Sequence, residues 1–120
     1  MPTKESRLVV TRELGDVIHV GFLDRNILEE AYIQQIGEEI SHLIEASASP
    51  KLLINFANVE HLSSAALGTL ITINTRIKKK DGQLRLCNID PQIYEVFVIT
   101  KLNKLFQIYD DVDKALKSFK

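Results

Sequence analysis

Short apolar runs rich in β-branched residues alternate along this chain with longer segments in which apolar residues recur every three or four positions. The first pattern predicts strands and the second predicts amphipathic helices. Runs at Arg7 to Thr11 and Val17 to Phe22 predict two antiparallel strands, because the Gly15-Asp16 pair between them is typical of a hairpin turn. The other predicted strands are Lys51 to Phe56, Gln83 to Cys87 and a short one around Phe106 to Tyr109.

The longest helical pattern extends from Ile27 to about Ala46. Asn26 and Glu29 have the spacing of a capping box at its start. The segment Ser47-Ala48-Ser49-Pro50 ends it, since proline cannot continue a helix and disfavours helical geometry in the residue before it. Its predicted buried face consists of Ile27, Leu28, Ala31, Ile36, Ile40, Leu43 and Ile44.

A second helix is predicted to begin near Ser64 and to end in three consecutive lysines, Lys78 to Lys80. Lysines in a last turn complement the helix dipole, and Gly82 is placed for a left-handed cap. The three lysines are therefore interpreted as a solvated helix end and not as a nucleic-acid site. The predicted buried stripe of this helix is Leu67, Leu70, Ile71, Asn74 and Ile77.

Two short helices complete the pattern. Asp90-Pro91 predicts a helix start, with aspartate as the cap and proline in the first turn. Asp110 or Asp111 is predicted to cap the last helix. The predicted buried residues are Ile93, Val96 and Phe97 in the third helix and Val112, Ala115, Leu116 and Phe119 in the fourth.

The predicted element order is β-β-α-β-α-β-α-β-α, which is typical of an α/β fold with a mixed, largely parallel sheet. We expect four to five strands, an antiparallel hairpin strand at the N-terminal end and about four helices. The almost continuously apolar Lys51 to Phe56 run is typical of a central strand buried on both faces. A length of 120 residues suits one core, so residues 1–120 are expected to form a single domain.

Composition and charge narrow the range of partners. Hydrophobic residues make up 45% of the chain and charged residues 26%, as in ordinary globular proteins. The net charge of −1 offers no general attraction to nucleic acid or to an anionic membrane. No apolar segment approaches the roughly 20 residues that span a bilayer, and no targeting segment is recognised. We therefore expect a cytoplasmic protein that recognises its partners locally.

Catalytic and cofactor motifs are not found in the sequence. The glycines match neither nucleotide-binding motif, and His19, His42 and His61 lie in different predicted elements without metal-ligand spacing. The single cysteine, Cys87, lies among apolar residues and is interpreted as a small packed side chain. We expect no enzymatic activity, no metal and no cofactor.

Two adjacent hydroxyls, Ser63 and Ser64, stand at the predicted loop-to-helix junction after the central strand. One serine is explained as a helix N-cap, whose oxygen accepts an otherwise unpaired backbone N–H. The other could be a phosphorylation site, because free amides and the dipole at a helix N-terminus stabilise negative charge. The residues alone leave both interpretations open, a plain cap or a switch.

Over nearly its whole length the chain resembles the STAS domain family of anti-sigma factor antagonists. Gly21-Phe22-Leu23-Asp24 is similar to the family's G-x-L-D element, and Leu53 to Phe56 followed by Val59 is similar to its central strand and loop. Leu62 to Gly68 resembles the D-S-S-G-L-G signature. The downstream matches, in the family's order and spacing, are Asp81-Gly82, the strand ending at Cys87, Asp90-Pro91 and Leu105-Phe106.

The resemblance implies a protein that binds an anti-sigma factor which is also a serine kinase, and that is switched off by serine phosphorylation. It places the phosphoacceptor on Ser64 and the partner-binding surface on Asp24, Ser63, Ser64 and Ala65. Ser63 stands where the family has an acidic residue, and Ala65 and Ala66 stand where it has a second hydroxyl and a glycine. The alternative is a non-phosphorylated scaffold or sensor module of the same fold that binds other proteins or a small ligand. Related domains also occur at the cytoplasmic ends of anion transporters. The sequence also leaves a weak homodimer as a possible assembly.

Overall fold

A five-stranded sheet with helices on both faces organises the chain. The computed structural model describes residues 8–14 and 16–119. The strands are β1 (Leu8–Leu14), β2 (Val17–Phe22), β3 (Asn26–Ile27), β4 (Lys51–Asn55), β5 (His61–Leu62), β6 (Gln83–Cys87) and β7 (Gln107–Tyr109). The helices are α1 (Glu30–Glu45), α2 (Ser64–Lys79), α3 (Pro91–Ile99) and α4 (Val112–Ser118), with a 3-10 turn at Leu102–Lys104.

The main sheet has the strand order β1-β2-β4-β6-β7, and β3 pairs with β5 in a separate two-stranded ribbon. β1 is antiparallel to β2, whereas β2, β4, β6 and β7 are mutually parallel. The predicted mixed, largely parallel sheet with an antiparallel strand at its edge is therefore confirmed. Arg7 and Gly15, the predicted strand start and part of the predicted turn, lie outside the described residues.

The alternation of side chains along the central strand β4 divides the core between the two faces of the sheet. Leu52 and Ile54 face the larger cluster, to which α1, α2 and α3 contribute their buried residues. Leu53 faces a smaller cluster with Cys87 and with Ala115 of α4. Cys87 is packed as predicted, and its burial, with a contribution from the Asp111 carboxylate, raises the pKa of its thiol to about 11.

The N-terminal end of α1 differs from the prediction. Helix α1 begins at Glu30, and its N-cap residue Glu29 makes no side-chain capping hydrogen bond. The predicted capping box at Asn26 is wrong, because Asn26 and Ile27 form strand β3 and pair with β5. This pairing buries Ile27 without a helix. Leu28 and Ala31 are exposed and Leu43 is only partly buried, while Ile33, Ile36, Ile40 and Ile44 form the buried face.

Two residues predicted to be buried lie on exposed sides of their helices. Ile71 of α2 is exposed because Leu70, Ile73 and Ile77 define the buried side, and Ile71 projects about 130° away from it at 100° per residue. Val96 of α3 is exposed for a similar reason, since only Ile93 and Phe97 of that helix are buried.

The predicted cap of α3 is confirmed, with Asp90 Oδ1 accepting from the Gln92 N–H at 2.8 Å. In α4, Asp111 is the N-cap, and Val112, Leu116 and Phe119 pack with buried Ala115.

The C-terminal end of α2 also corrects a prediction. Asp81, with φ 55°, occupies the left-handed position that was predicted for Gly82. Gly82 is required for another reason, because a Cβ there would lie 2.4 Å from the carbonyl oxygen of Pro50. Lys80 donates to the carbonyls of Ile44 at 3.2 Å and Glu45 at 3.0 Å, so this lysine caps α1 and ties the ends of the two helices together.

Candidate functional site

The segments selected from the sequence follow strands whose carboxyl ends lie at one edge of the sheet. Parallel neighbours place their carboxyl ends at the same edge, where binding sites of α/β sheets occur. Asp24 follows the end of β2, and Ser63 follows the end of β4 through a short loop and β5. The fold therefore brings the loop of Asp24 and the start of α2 to the same side of the molecule.

The β3–β5 ribbon joins these two segments directly. Asn26 pairs with His61 and Ile27 with Leu62 in parallel register. The ladder continues at both ends, where the Arg25 carbonyl accepts from the Glu60 N–H at 2.7 Å and the Ile27 carbonyl accepts from the Ser63 N–H at 3.1 Å. Asp24 precedes the first bonded residue and Ser64 follows the last, so the two lie at opposite ends of one short ribbon.

The two serines have different environments. Ser63 is the N-cap of α2, and its Oγ accepts from the Ala66 N–H at 3.2 Å. Ser64 is the first residue of the helix, it is exposed, and its hydroxyl has no hydrogen bond within the described part of the chain. The cap interpretation therefore applies to Ser63, and Ser64 is the more exposed of the two serines.

The first turn of α2 has backbone amides without helical acceptors next to this hydroxyl. The Ala66 N–H bonds to the Ser63 side chain, and the Leu67 N–H bonds to the Ser63 carbonyl at 3.2 Å. The N–H groups of Ser64 and Ala65 have no partner among residues 8–14 and 16–119, as expected for the first turn of a helix. Ala65 is exposed, so its side chain adds a small apolar surface next to Ser64.

Exposed leucines flank the ribbon. Leu23, in the loop after β2, is 60% exposed, and Leu28, between β3 and α1, is 53% exposed. Asp24 beside Leu23 is partly buried, whereas Glu29 beside Leu28 is exposed. Large exposed apolar side chains next to polar groups are typical of a protein-docking surface.

Three asparagines that the sequence analysis missed support the loop between β4 and β5. Asn55 Oδ1 accepts from the Ala57 N–H at 2.9 Å and from Asn88 Nδ2 at 3.0 Å. Asn58 Nδ2 donates to the Phe22 carbonyl at 3.1 Å. These bonds fix the loop that leads to β5 and Ser63. Asparagine at or after a strand end was an available signal, since its amide commonly bonds to nearby backbone.

His19 on β2 is hydrogen-bonded to one of these asparagines, Asn55. Its Nε2 lies 3.2 Å from Asn55 Nδ2. The Asn55 oxygen already accepts two N–H groups, so its nitrogen is the atom that faces the ring and donates to it. His19 therefore accepts through Nε2 as a neutral imidazole, and desolvation lowers the pKa of His19.

Across the described ranges, no three His, Cys, Asp or Glu side chains are grouped so that they could hold a metal ion. None of the helices in those ranges combines the length and the apolar character needed to cross a membrane.

Comparison with known proteins agrees with this architecture. The STAS domain profile matches residues 25–115. The candidate anti-sigma factor antagonist BtrV of Bordetella bronchiseptica is 21% identical over 96 residues, which make up 80% of this chain and 82% of BtrV.

Two solved structures illustrate the shared fold. An anti-sigma factor antagonist (STAS) domain protein from Planctomyces limnophilus has a TM-score of 0.82 at 25% identity, over 92% of this chain and 96% of that one. The Bacillus cell fate determinant SpoIIAA in its phosphorylated form has a TM-score of 0.70 at 19% identity, over 89% of this chain and 93% of SpoIIAA. The profile match at residues 25–115 includes both the β3–β5 ribbon and the start of α2.

Proposed function

This chain belongs to the STAS domain family, and from that membership we propose that it is an anti-sigma factor antagonist that works by partner switching. In its unphosphorylated form it binds an anti-sigma factor that is also a serine kinase, which frees a sigma factor for transcription. Phosphorylation of Ser64 reverses the binding. The observation that supports this proposal most strongly is the exposed Ser64 hydroxyl at the first position of α2.

The proposed docking surface consists of the Asp24 loop and the start of α2, with Ser63, Ser64 and Ala65. Its support is the β3–β5 ribbon, which links the two segments through backbone hydrogen bonds, with Asp24 before its first bonded residue and Ser64 after its last. A surface on a hydrogen-bonded ribbon and a helix end is preorganised, so a partner can bind it without ordering a loop.

The proposed switch acts through charge. A phosphoryl group on Ser64 would add about −1.5 to −2 charges and would be stabilised on this chain by the free amides of the first turn of α2. A partner packed over Ser64 would have to desolvate that charge without pairing it, and this costs binding free energy. The phosphorylated form is therefore expected to release the partner. The phosphorylated structure of Bacillus SpoIIAA supports such a modification in this fold.

Ser63 replaces the acidic residue that precedes the phosphoacceptor in the family pattern. Its role as N-cap of α2 accounts for part of this difference, because serine caps a helix about as well as aspartate. The geometry next to Ser64 is therefore kept while one negative charge is removed. We propose that the cognate kinase recognises Ser64 without that carboxylate.

Incubation with ATP and candidate serine kinases, followed by intact-mass measurement, tests the modification. A mass gain of one phosphoryl group is expected for the wild type and for Ser63→Ala, whereas Ser64→Ala should show none. The Ser63→Ala variant is the matched control, because it alters the neighbouring hydroxyl and the cap but keeps the proposed acceptor. A gain that survives in Ser64→Ala and disappears in Ser63→Ala would reject Ser64 as the site.

We also propose a cytoplasmic location, a non-enzymatic role and binding to proteins without contact to nucleic acid or membrane. The near-neutral net charge supports local recognition over a general attraction to polyanions. Weak association with a second copy of the chain is part of this proposal.

A further inference from the structure

Two large apolar side chains beside the β3–β5 ribbon remain mostly exposed. Leu23 is 60% exposed and Leu28 is 53% exposed. Leu23 comes directly before Asp24, and Leu28 directly follows Ile27, the last residue of β3. Single exposed leucines are common on protein surfaces, but these two flank one rigid ribbon and lie next to polar groups. That arrangement is typical of a contact surface.

Leu28 and Ser64 lie at the same end of the ribbon. The Ile27 carbonyl accepts from the Ser63 N–H at 3.1 Å, and Leu28 and Ser64 are the residues that directly follow these two. Both Leu28 and Ser64 are exposed. A protein packed over the Ser64 hydroxyl, as the proposed switch requires, would therefore also contact Leu28.

The segment that carries the two leucines is acidic. Asp24, Glu29 and Glu30 contribute three carboxylates between positions 23 and 30, and Arg25 is the one basic residue there. Glu29, Glu30 and Arg25 are exposed, and Asp24 is partly buried. A negative rim around apolar side chains attracts a positively charged surface and repels a negatively charged one.

We propose that Leu23 and Leu28 are apolar anchors for the anti-sigma factor kinase, whose contact surface takes up the two leucines within a cationic rim. This inference rests on the proposed function and adds to it the chemistry of the partner's surface. Burial of both side chains removes apolar area from water, which is the main favourable contribution to protein association. The carboxylates around them select a partner of opposite charge.

Charge is the reason to assign a cationic protein surface, and neither a second copy nor a membrane, to this position. Two copies in contact through this surface about a two-fold axis would place the same carboxylates against each other. An anionic membrane would be repelled by the same side chains. A kinase with basic residues around its contact surface satisfies the leucines and the carboxylates together.

Isothermal titration calorimetry with the kinase that phosphorylates Ser64, in ADP so that no phosphate is transferred, tests the anchors. Leu23→Ala and Leu28→Ala should each weaken binding about tenfold or more, because each loses most of a buried leucine side chain. Both leucines are exposed enough to be replaced without loss of folding, which circular dichroism checks. Leu105→Ala is the matched control and should bind like the wild type. Leu105 is 38% exposed and precedes β7, at the opposite edge of the sheet.

The negative rim is tested separately with a charge reversal. Glu29→Lys should weaken binding several-fold, and the wild-type affinity should fall as the ionic strength rises. Glu29 makes no side-chain capping bond, so this change removes no cap from α1. Asp113→Lys is the control, because Asp113 is also an exposed acid at a helix start but belongs to α4, on the other face of the sheet. It should leave the affinity unchanged.

The results separate these anchors from the switch. If Leu23→Ala and Leu28→Ala bind like the wild type while Ser64→Asp binds weakly, the anchors are rejected and the switch stands. If the leucine variants bind weakly and phosphorylation of Ser64 has no effect, the anchors are supported and the switch is rejected. An affinity that neither Glu29→Lys nor salt lowers overturns the cationic rim. A kinase that does not bind the wild type rejects the proposed function, and the anchors with it.

Discussion

The adjacent serines at the start of α2, Ser63 and Ser64, have different structural roles. Ser63 satisfies the Ala66 N–H and ends the loop, while Ser64 enters the helix with its hydroxyl exposed. Ser63 is partly buried with its Oγ bonded to the Ala66 N–H, whereas Ser64 is exposed. The structure therefore distinguishes two hydroxyls that the sequence alone did not.

Replacing each serine with alanine should change the free energy of unfolding by different amounts. Ser63→Ala is expected to lower the free energy of unfolding by about 1 kcal/mol, because it leaves the Ala66 N–H without its acceptor. Ser64→Ala should change it by less than about 0.5 kcal/mol, as for exposed positions. Urea denaturation followed by circular dichroism measures both. Equal losses in the two variants would contradict the assignment of Ser63 as the cap.

His19 should make stability depend on pH. Its pKa is lowered in the folded state by desolvation, so the unfolded chain, with a pKa near 6.5, binds the proton first. Stability should therefore be complete above pH about 7 and should fall as the pH drops below about 6.5, because the protonated ring loses its role as acceptor for Asn55. On the same face of the sheet, the ammonium group of Lys51 is paired with Asp16 at 2.9 Å.

His19→Gln keeps an acceptor but does not titrate, and it should flatten this dependence. The measurement is the free energy of unfolding from urea titrations at a series of pH values. His42→Gln, at an exposed histidine of α1, is the control and should keep the wild-type slope. An identical slope in His19→Gln and the wild type would show that His19 is not the group responsible.

For individual helices and strands, the sequence pattern predicted the features that depend only on residues close together in the chain. The cap at Asp90 and a cap at Asp110 or Asp111, of which the structure uses Asp111, were predicted because they need only a polar side chain and the next turn of the same helix. The β3–β5 ribbon was missed, because two-residue strands separated by more than thirty positions carry no periodicity of their own. That ribbon shortens α1 at its start and holds the Asp24 loop beside β5. The site's serines were thus predictable, while the geometry that connects them to Asp24 was not.

Two glycines offer a matched test of packing between elements. Gly82 lies against Pro50, and a methyl group there would come 2.4 Å from the Pro50 carbonyl oxygen, whereas Gly68 on α2 has nothing within 4 Å of an added Cβ. Gly82→Ala should destabilise the protein by about 2 kcal/mol or more, since backbone must move. Gly68→Ala should stabilise it by up to about 1 kcal/mol through helix propensity. Thermal unfolding of both variants decides this, and a neutral Gly82→Ala would refute the close approach.

For the whole molecule, the two core clusters share the central strands of one sheet. Leu52 and Leu53 are consecutive residues of β4 that pack on opposite faces, so neither cluster can form without the strand that anchors the other. We propose on this basis that residues 1–120 fold as one domain. Chemical denaturation should then give coincident transitions by circular dichroism and by tyrosine fluorescence. Two separated transitions would indicate independently folding parts.

The most direct test of the switch is the affinity of the kinase partner for the protein before and after stoichiometric phosphorylation, measured by isothermal titration calorimetry. Unphosphorylated protein should bind, and the phosphorylated form and Ser64→Asp should bind at least about a hundredfold more weakly, since buried unpaired charge costs several kcal/mol. Ser49→Asp, exposed at the opposite edge of the sheet, should bind like the wild type. Equal affinity of the phosphorylated and unphosphorylated forms would contradict the switch and favour a constitutive scaffold or sensor module.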